Sequence, residues 1–232
     1  MHRILGTGLV LALAGLILPQ SLSADGETAL QVARSRTTGN ASFVSMSNGG
    51  MIPVTTNTAA PAGPIDFFRQ YGHLFGINDA DRQLRQINTN RDTISHVHTE
   101  FQQVHGSVRV FGGRLRTHQN DRGEFVAAGG EFFPVSPKID TNPKLDRQRV
   151  ELVLRDAIDL PAPSFDRMEL VIVDPAWYGD RPQGERLAYY VHVSDWNAGE
   201  AEAFFVDAHS GGILDRWSLV ETIRNRRIHN AN

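Results

Sequence analysis

The chain has 232 residues, of which 41% are hydrophobic and 21% are charged, and its formal net charge at pH 7 is −3. This composition is typical of a globular protein that buries one large core or two small ones, and a charge so close to neutral argues against nucleic acid as a partner. Because the sequence contains no cysteine, disulfides, thiolate metal sites and a cysteine nucleophile are excluded.

The N-terminal segment has the pattern of a secretory signal peptide. His2 and Arg3 give a short positive start, residues 4–18 form an uncharged apolar run, and small residues follow as far as Ala24. The run is shorter than the roughly 18 to 20 residues that a membrane span needs. We therefore predict a signal peptide at residues 1–23, a secreted or periplasmic mature protein and no stable membrane anchor.

The next part of the chain predicts a helix followed by a four-stranded meander. Residues 24–63 are rich in Ser, Thr, Asn, Ala and Gly and are interpreted as an N-terminal extension with one possible strand, residues 41–44. Apolar residues recur at helical spacing from Pro64, and Gly76 suits the C-terminal cap. Alternating segments then predict strands at residues 84–89, 94–104, 108–118 and 124–133.

The second half repeats this order after a linker that contains prolines. Asp146 is a good N-cap for a helix that Pro161 stops. Strands are predicted at residues 168–173, 186–194, 202–206 and 213–219. The predicted fold is therefore α+β, with two small domains at residues 64–137 and 144–219, each a helix packed on an antiparallel four-stranded sheet of cystatin-like form.

The segment HVHTEFQQVHGSVRVFGGRL contains the sharpest candidates for a metal site. His96, His98 and Glu100 are spaced two apart, so in a strand their side chains share one face. His118 could add a ligand from the next strand, although the sequence does not define the register. The alternative is that these residues form the solvent-exposed face of the strand, because apolar residues alternate with them. We favour that alternative and predict no metal site in this chain.

The other motifs that could indicate catalysis favour structural roles. Gly112 and Gly113 do not have the spacing of a phosphate-binding loop, and glycines within a strand more often mark a bulge or a close backbone approach. Ser210 lacks the flanking glycine of a nucleophile elbow and lies in a predicted turn between strands. No H-E-x-x-H motif occurs, so the chain offers no catalytic set.

Several motifs, in this order, resemble the pro-region of secreted thermolysin-like zinc metallopeptidases, a domain also found in fungalysins. A helix ends in Leu-Phe-Gly, and Phe-Gln-Gln and Val-Phe-Gly-Gly follow it. One departure is Arg109, where relatives usually carry proline. The signature residues, which the resemblance implies to be structural, are Phe101, Gln102, Gln103, Phe111, Gly112 and Gly113.

The second half is similar to the PepSY domain that follows in such precursors. LVIVDPAW, RLAYYVHV and AFFVDAHSGGIL carry the likeness, and the last contains a hairpin with Asp207 and Gly211. The resemblance thus covers residues 41–219. The tail RNRRIHNAN resembles the start of the peptidase domain, so residues 220–232 are interpreted as the junction to a peptidase domain that is missing from this sequence.

The resemblance implies an intramolecular chaperone and inhibitor of a thermolysin-like zinc metalloendopeptidase, bound in cis or in trans. The chain itself should be inactive, and zinc and calcium are expected only in the missing peptidase domain. One alternative is a stand-alone exported PepSY-type inhibitor or binding module, which a reading frame without H-E-x-x-H would support. A second alternative is that the chain is the non-catalytic fragment of a metalloendopeptidase precursor, which as a whole acts in proteolysis. A third is an exported metal-binding protein that uses His96 and His98.

Residues next to the junction are predicted to make the inhibitory contact. They are Leu214, Trp217, Leu219, Arg226 and Arg227. By resemblance, such peptidases prefer a bulky apolar residue after the cut. The candidate processing bonds are therefore Ser218–Leu219 and Arg227–Ile228.

Overall fold

The computed structural model describes residues 29–56, 60–177 and 184–220. Within these ranges the fold is α+β and rich in strands, as predicted. The strands are β1 (Leu30–Arg34), β2 (Ala41–Met46), β3 (Leu84–Arg91), β4 (Val97–His105), β5 (Val108–Gln119), β6 (Phe125–Glu131), β7 (Ser164–Val173), β8 (Arg186–Asp195), β9 (Glu200–Asp207) and β10 (Ile213–Ser218). The helices are α1 (Pro64–Phe75), α2 (Ala80–Gln83) and α3 (Arg147–Ala157), and a 3₁₀ turn spans Pro175–Trp177.

Helix α1 begins and ends where the sequence predicted, whereas α3 begins at its predicted position but ends at Ala157, before Pro161. In α1, Pro64 occupies the first turn, and the side chain of Asp66 accepts a hydrogen bond from the backbone N–H of Gly63 at 2.7 Å. Gly76 adopts φ 85°, and this left-handed conformation ends the helix. Asp146 caps α3 by accepting the backbone N–H of Arg149 at 2.8 Å.

The strands form one mixed sheet rather than the two separate four-stranded sheets that were predicted. Its order is β1-β2-β6-β5-β7-β8-β9-β10, and β4 lies between β5 and β3 on a branch. The long strand β5 pairs with β4 along one edge, whereas its other edge pairs first with β7 and then with β6. The β5–β7 pair is parallel, Arg109 with Val171 and Val110 with Ile172, and it joins the halves into one sheet. Alternation indicates which face of a strand is buried but not which strand it pairs with, so this pairing could not be anticipated.

The N-terminal extension contributes two strands where the sequence predicted one. The strand β2 pairs with β6 and so widens the first half of the sheet, and β1 pairs with β2 at the edge. Ala41 and Val44 of β2 are buried in the first core. The composition of this segment, rich in Ser, Thr, Asn, Ala and Gly, conceals the short alternating pattern of β1.

Two cores lie on faces of this sheet. The first packs α1 against β2, β4, β5 and β6, with Phe67, Phe68 and Phe101 nearly inaccessible to solvent. The second packs α3 against β7, β8 and β9. Val108 and Val110 of β5 belong to this second core, so the two halves share residues as well as a sheet.

No helix among the described residues is long and apolar enough to span a membrane. The predicted signal peptide lies outside the described residues, as do Arg226, Arg227 and Ile228 at the other end.

Candidate interaction surface

The second half of the sheet is apolar on both faces, although α3 covers only one. The opposite face, here called the aromatic face, has a buried layer made by strands β7, β8 and β9: Val171, Val173, Ala188, Tyr190, Ala203 and Phe205. Its partly buried hydrophobic neighbours are Phe111 of β5 and Leu214 and Trp217 of β10, so strands of the same sheet supply them. An antiparallel sheet with one solvated face normally alternates polar and apolar residues. The six residues of this layer are at most 7% exposed, so the partly buried side chains of Phe111, Leu214 and Trp217 form the accessible apolar part of the face and are the candidate interaction surface.

Aromatic rings form the centre of this face. The ring of Phe111 lies 4.8 Å from the rings of both Tyr190 and Phe205 in edge-on geometry. Trp217 contacts Phe205 at 5.2 Å and stacks over Tyr190 at 6.0 Å. The contact between Phe111 and Phe205 thus joins β5 to β9 across the two intervening strands. Edge-on and offset contacts of this kind stabilise a rigid cluster.

A charged network borders the rings on one side. Arg109 and Arg167 both form ion pairs with Glu169, and the Arg167 nitrogen lies 2.5 Å from the carboxylate oxygen. Both guanidinium groups lie over the ring of Tyr190. Burial raises the pKa of the Tyr190 phenol, whose oxygen lies 2.6 Å from the Nε2 atom of His192. Arg109 is the residue that departs from the proline of relatives, and the strand continues through it because its backbone pairs with β4 and β7.

Two of the predicted inhibitory residues, Leu214 and Trp217, lie on β10. Trp217 points onto the aromatic face and Leu214 packs against it, whereas Leu219 is 39% exposed beyond the strand. The backbone N–H of Leu219 donates to the carbonyl of Ala201 at 2.8 Å, so the chain stays beside β9 through Leu219. Ser218 ends the strand and is exposed.

The Gln-Gln pair of the signature joins β4 to β5 and to the segment that follows β6. The Nε2 group of Gln102 donates to the carbonyls of Gln103, Val110 and Gly113 at 2.8–3.0 Å. The amide of Gln103 donates to the carbonyl of Phe133 at 2.7 Å and accepts the backbone N–H of Phe133 at 2.9 Å. Both side chains are buried, so these bonds satisfy backbone groups that water does not reach.

The glycines of the signature lie where β5 changes its partner. Gly112 has φ 71°, a conformation that residues with a side chain rarely adopt. A Cβ atom at Gly113 would lie 2.7 Å from the Cβ of Gln103, too close for any side chain. Gly113 therefore marks a close backbone approach, one of the two structural roles that a glycine within a strand indicated.

The hairpin that contains Asp207 and Gly211 fastens β9 and β10 to the start of α3. The carboxylate of Asp207 accepts the backbone N–H groups of His209 and Ser210, each at 2.8 Å. Gly211 has φ 80° and faces Leu145. Ser210 lies in this turn between two strands, as expected for a residue with a structural role.

The three candidate metal ligands His96, His98 and Glu100 are not arranged as a metal site. Glu100 pairs with Arg116, and its carboxylate is therefore engaged. His98 instead faces His118 directly across β4 and β5, with their Nδ1 atoms 2.6 Å apart, and its Nε2 lies 2.9 Å from an oxygen of Asp92. No three His, Asp or Glu side chains in the described ranges are arranged to hold a metal ion.

These contacts lower the pKa values of His118 and Asp92. They also leave His98 less exposed than expected for a residue on the solvent-exposed face of a strand. Burial lowers the pKa of His118, and the neighbouring charges of His98, Arg116 and His96 lower it further. The hydrogen bond from His98, helped by the backbone N–H groups of His96 and Ile94, lowers the pKa of Asp92. His98 is only 19% exposed because His118 lies against it.

The strands and turns around the signature residues match a known family. Residues 82–132 match the Fungalysin/Thermolysin Propeptide Motif. No curated protein sequence matches the chain. Among solved structures, the C-terminal domain of YpeB from Bacillus megaterium is similar with 11% identity and a TM-score of 0.38, over 85% of this chain and 92% of that chain.

The propeptide motif extends from the end of α2 through β6 and contains all six signature residues of the first half. It thus includes Phe111, which lies on the aromatic face beside strands of the second half. The motif supports a propeptide of the fungalysin and thermolysin type, and it implies association with a peptidase domain of that type.

Sequence reasoning missed most of the aromatic face. It selected Trp217 and Leu214 for their position next to the junction, but not Tyr190, Phe205 or Arg109. A signal was present in the run LAYYVHV, because an apolar stretch without alternation indicates a strand that is buried on both faces.

Proposed function

We propose that this chain is the propeptide of a secreted thermolysin-like zinc metallopeptidase and acts as its chaperone during folding and as its inhibitor afterwards. The observation that carries the proposal is the match of residues 82–132 to the propeptide motif. The order of the motifs in the second half, which resembles a PepSY domain, supports it. Zinc and calcium would belong to the peptidase domain, and the residues described here would supply no ligand.

A propeptide of this kind would act through binding linkage. A segment that binds the folded peptidase and not its unfolded chain stabilises the folded state in proportion to the logarithm of its effective concentration. Covalent attachment keeps that concentration high until the junction is cut. The same contacts, if they cover the substrate cleft, prevent hydrolysis during export.

The aromatic face and β10 are the part of the surface that we assign to this contact. The apolar rings of the face provide area, and β10 lies next to the junction in sequence. Residues 214–227 would then connect the sheet to the peptidase domain. Cleavage at Ser218–Leu219 or at Arg227–Ile228 would release the enzyme, and the N-terminus of the released enzyme, read by mass spectrometry, would identify the bond.

Inhibition in trans tests the proposal. The purified chain is added to a mature thermolysin-like peptidase, and hydrolysis of a fluorogenic peptide is followed; we expect inhibition that saturates with concentration. Trp217→Ser should weaken inhibition at least about tenfold, since truncating a central aromatic residue of an interface commonly costs 2 kcal/mol or more. The matched control is Trp196→Ser, because Trp196 is 82% exposed in a turn away from the aromatic face. A wild-type chain that neither inhibits the peptidase nor increases its yield on refolding would refute the proposal.

A further inference from the structure

A cavity of about 310 Å³ opens on the aromatic face beside β10. It is lined by Phe111, Phe205, Trp217 and Asp215. We propose that this cavity binds the side chain of a lysine or arginine carried by an extended segment of a partner protein, which pairs with the edge of β10 that no described strand occupies. A basic residue is therefore the type of side chain that the aromatic face recognises. This proposal rests on the proposed function in one respect, because it takes a peptidase domain as the natural source of the extended segment.

The walls of the cavity suit a cation with an apolar stem. Phe111 and Trp217 stand on either side of Phe205, whose ring forms the floor. The methylene groups of a lysine or arginine pack well on such rings, and the positive head group is attracted to their faces. Phe205 is only 1% exposed, so its position does not depend on the occupant.

The charge at the rim distinguishes a basic occupant from an apolar one. Asp215 accepts one hydrogen bond, from the backbone N–H of Arg216 at 2.8 Å, and it forms no ion pair within the described part of the chain. On this face Arg109 and Arg167 are paired with Glu169, and Arg186 lies 4.0 Å from a carboxylate oxygen of Asp207. A purely apolar side chain would desolvate the carboxylate of Asp215 without replacing its water, whereas a lysine or arginine would pair with it.

The edge of β10 explains why the partner segment should be extended. Among the described strands, β10 pairs with β9 alone, so the backbone groups of its other edge are available. A peptide that adds to this edge places alternate side chains on the aromatic face, next to Asp215 and Trp217. Backbone pairing would then supply affinity, and the cavity would supply the preference for a basic residue.

The test compares two peptides that differ only in the central residue. Acetyl-Thr-Val-Lys-Val-Thr-amide and the same peptide with methionine in place of lysine are titrated into the ¹⁵N-labelled chain, and the indole signal of Trp217 is assigned from a Trp217→Phe variant. We expect the lysine peptide to shift this signal and to bind about fivefold more tightly than the methionine peptide. The preference should fall when NaCl is raised from 0.1 to 1 M.

Asp215→Asn keeps the size of the side chain and should reduce the preference for lysine to less than twofold. The matched control is Asp156→Asn on the exposed surface of α3, which should leave the preference unchanged. Equal binding of the two peptides, tighter binding of the methionine peptide, binding that leaves the Trp217 signal in place, or no binding at millimolar concentration would each overturn the assignment. Because the titration contains no peptidase, its failure is separate from a failure of inhibition in trans.

Discussion

The side chain of Gln103 occupies the space beside Gly113 that any larger residue at that position would need. The two residues lie on neighbouring strands, β4 and β5, at a register shift between Gln102 and Val104. From there the amide of Gln103 reaches the backbone of Phe133 and holds the end of the first half in place. The Gln-Gln and Gly-Gly pairs of the sequence are therefore two parts of one contact.

Replacing Gly113 with alanine should destabilise the fold by about 1 to 3 kcal/mol, the usual range for overpacking a close contact. The added methyl group would displace Gln103 from the backbone of Phe133. Urea unfolding followed by circular dichroism measures the difference. Gly212→Ala is the control, because a Cβ atom there meets only the hydroxyl of Ser210 at 3.5 Å, and its effect should stay within about 0.5 kcal/mol.

Replacing Gln103 with methionine should also destabilise the fold, for a different reason. Methionine has a similar length but removes the two buried hydrogen bonds that the amide of Gln103 makes with the backbone of Phe133, and the loss of a buried hydrogen bond commonly costs about 1 to 3 kcal/mol. Gln31→Met on the exposed side of β1 provides the control. If both variants unfold at the same urea concentration, the amide of Gln103 does not stabilise the linker.

The His98–His118 pair should make stability fall in mild acid. At 2.6 Å, one of the two Nδ1 atoms must be unprotonated, and burial with neighbouring positive charges lowers the pKa of His118 in the folded state. A histidine whose folded pKa is below its unfolded value of about 6.5 binds fewer protons when folded. Its contribution to the free energy of unfolding is therefore present above about pH 6.5 and is lost as the pH falls through the folded pKa.

His118→Gln removes this titration and serves as the test. Urea unfolding of the wild type and the variant is measured from pH 8 to pH 5, at constant ionic strength. We expect the wild type to lose more stability over this range, so that the difference between the two proteins narrows or reverses. Parallel curves would contradict a role for His118 in the acid sensitivity.

A fragment that ends at residue 137 should not fold by itself into a monomer with a well-packed core. Val110 and Phe133 would lose their cover, since Val110 packs in the second core and the ring of Phe133 stacks on Trp177 with centroids 4.3 Å apart. We expect this fragment to bind a hydrophobic dye and to self-associate in size-exclusion chromatography, whereas residues 24–220 remain monodisperse. A monomeric fragment with cooperative unfolding would show instead that the predicted boundary separates two autonomous domains.

The sequence by itself determined the features that depend on neighbours along the chain. The start of α1 follows from Pro64, its end from Gly76, and the start of α3 from Asp146. The strands from β3 to β10 follow from alternating or continuously apolar segments bounded by turn residues. The position of Gly113 within a strand indicated either a bulge or a close backbone approach. Capping and alternation act over a few residues, so they leave a readable pattern.

Tertiary structure alone decided what lies beside each strand. The parallel pairing of Arg109 with Val171, the facing of His98 and His118, and the meeting of Phe111 with Phe205 all join residues that are distant in sequence. Their partners are selected by sheet order and register, which result from burial summed over the whole molecule rather than from any local pattern. The candidate surface is therefore a product of the assembled sheet, although the family signature could be read from single strands.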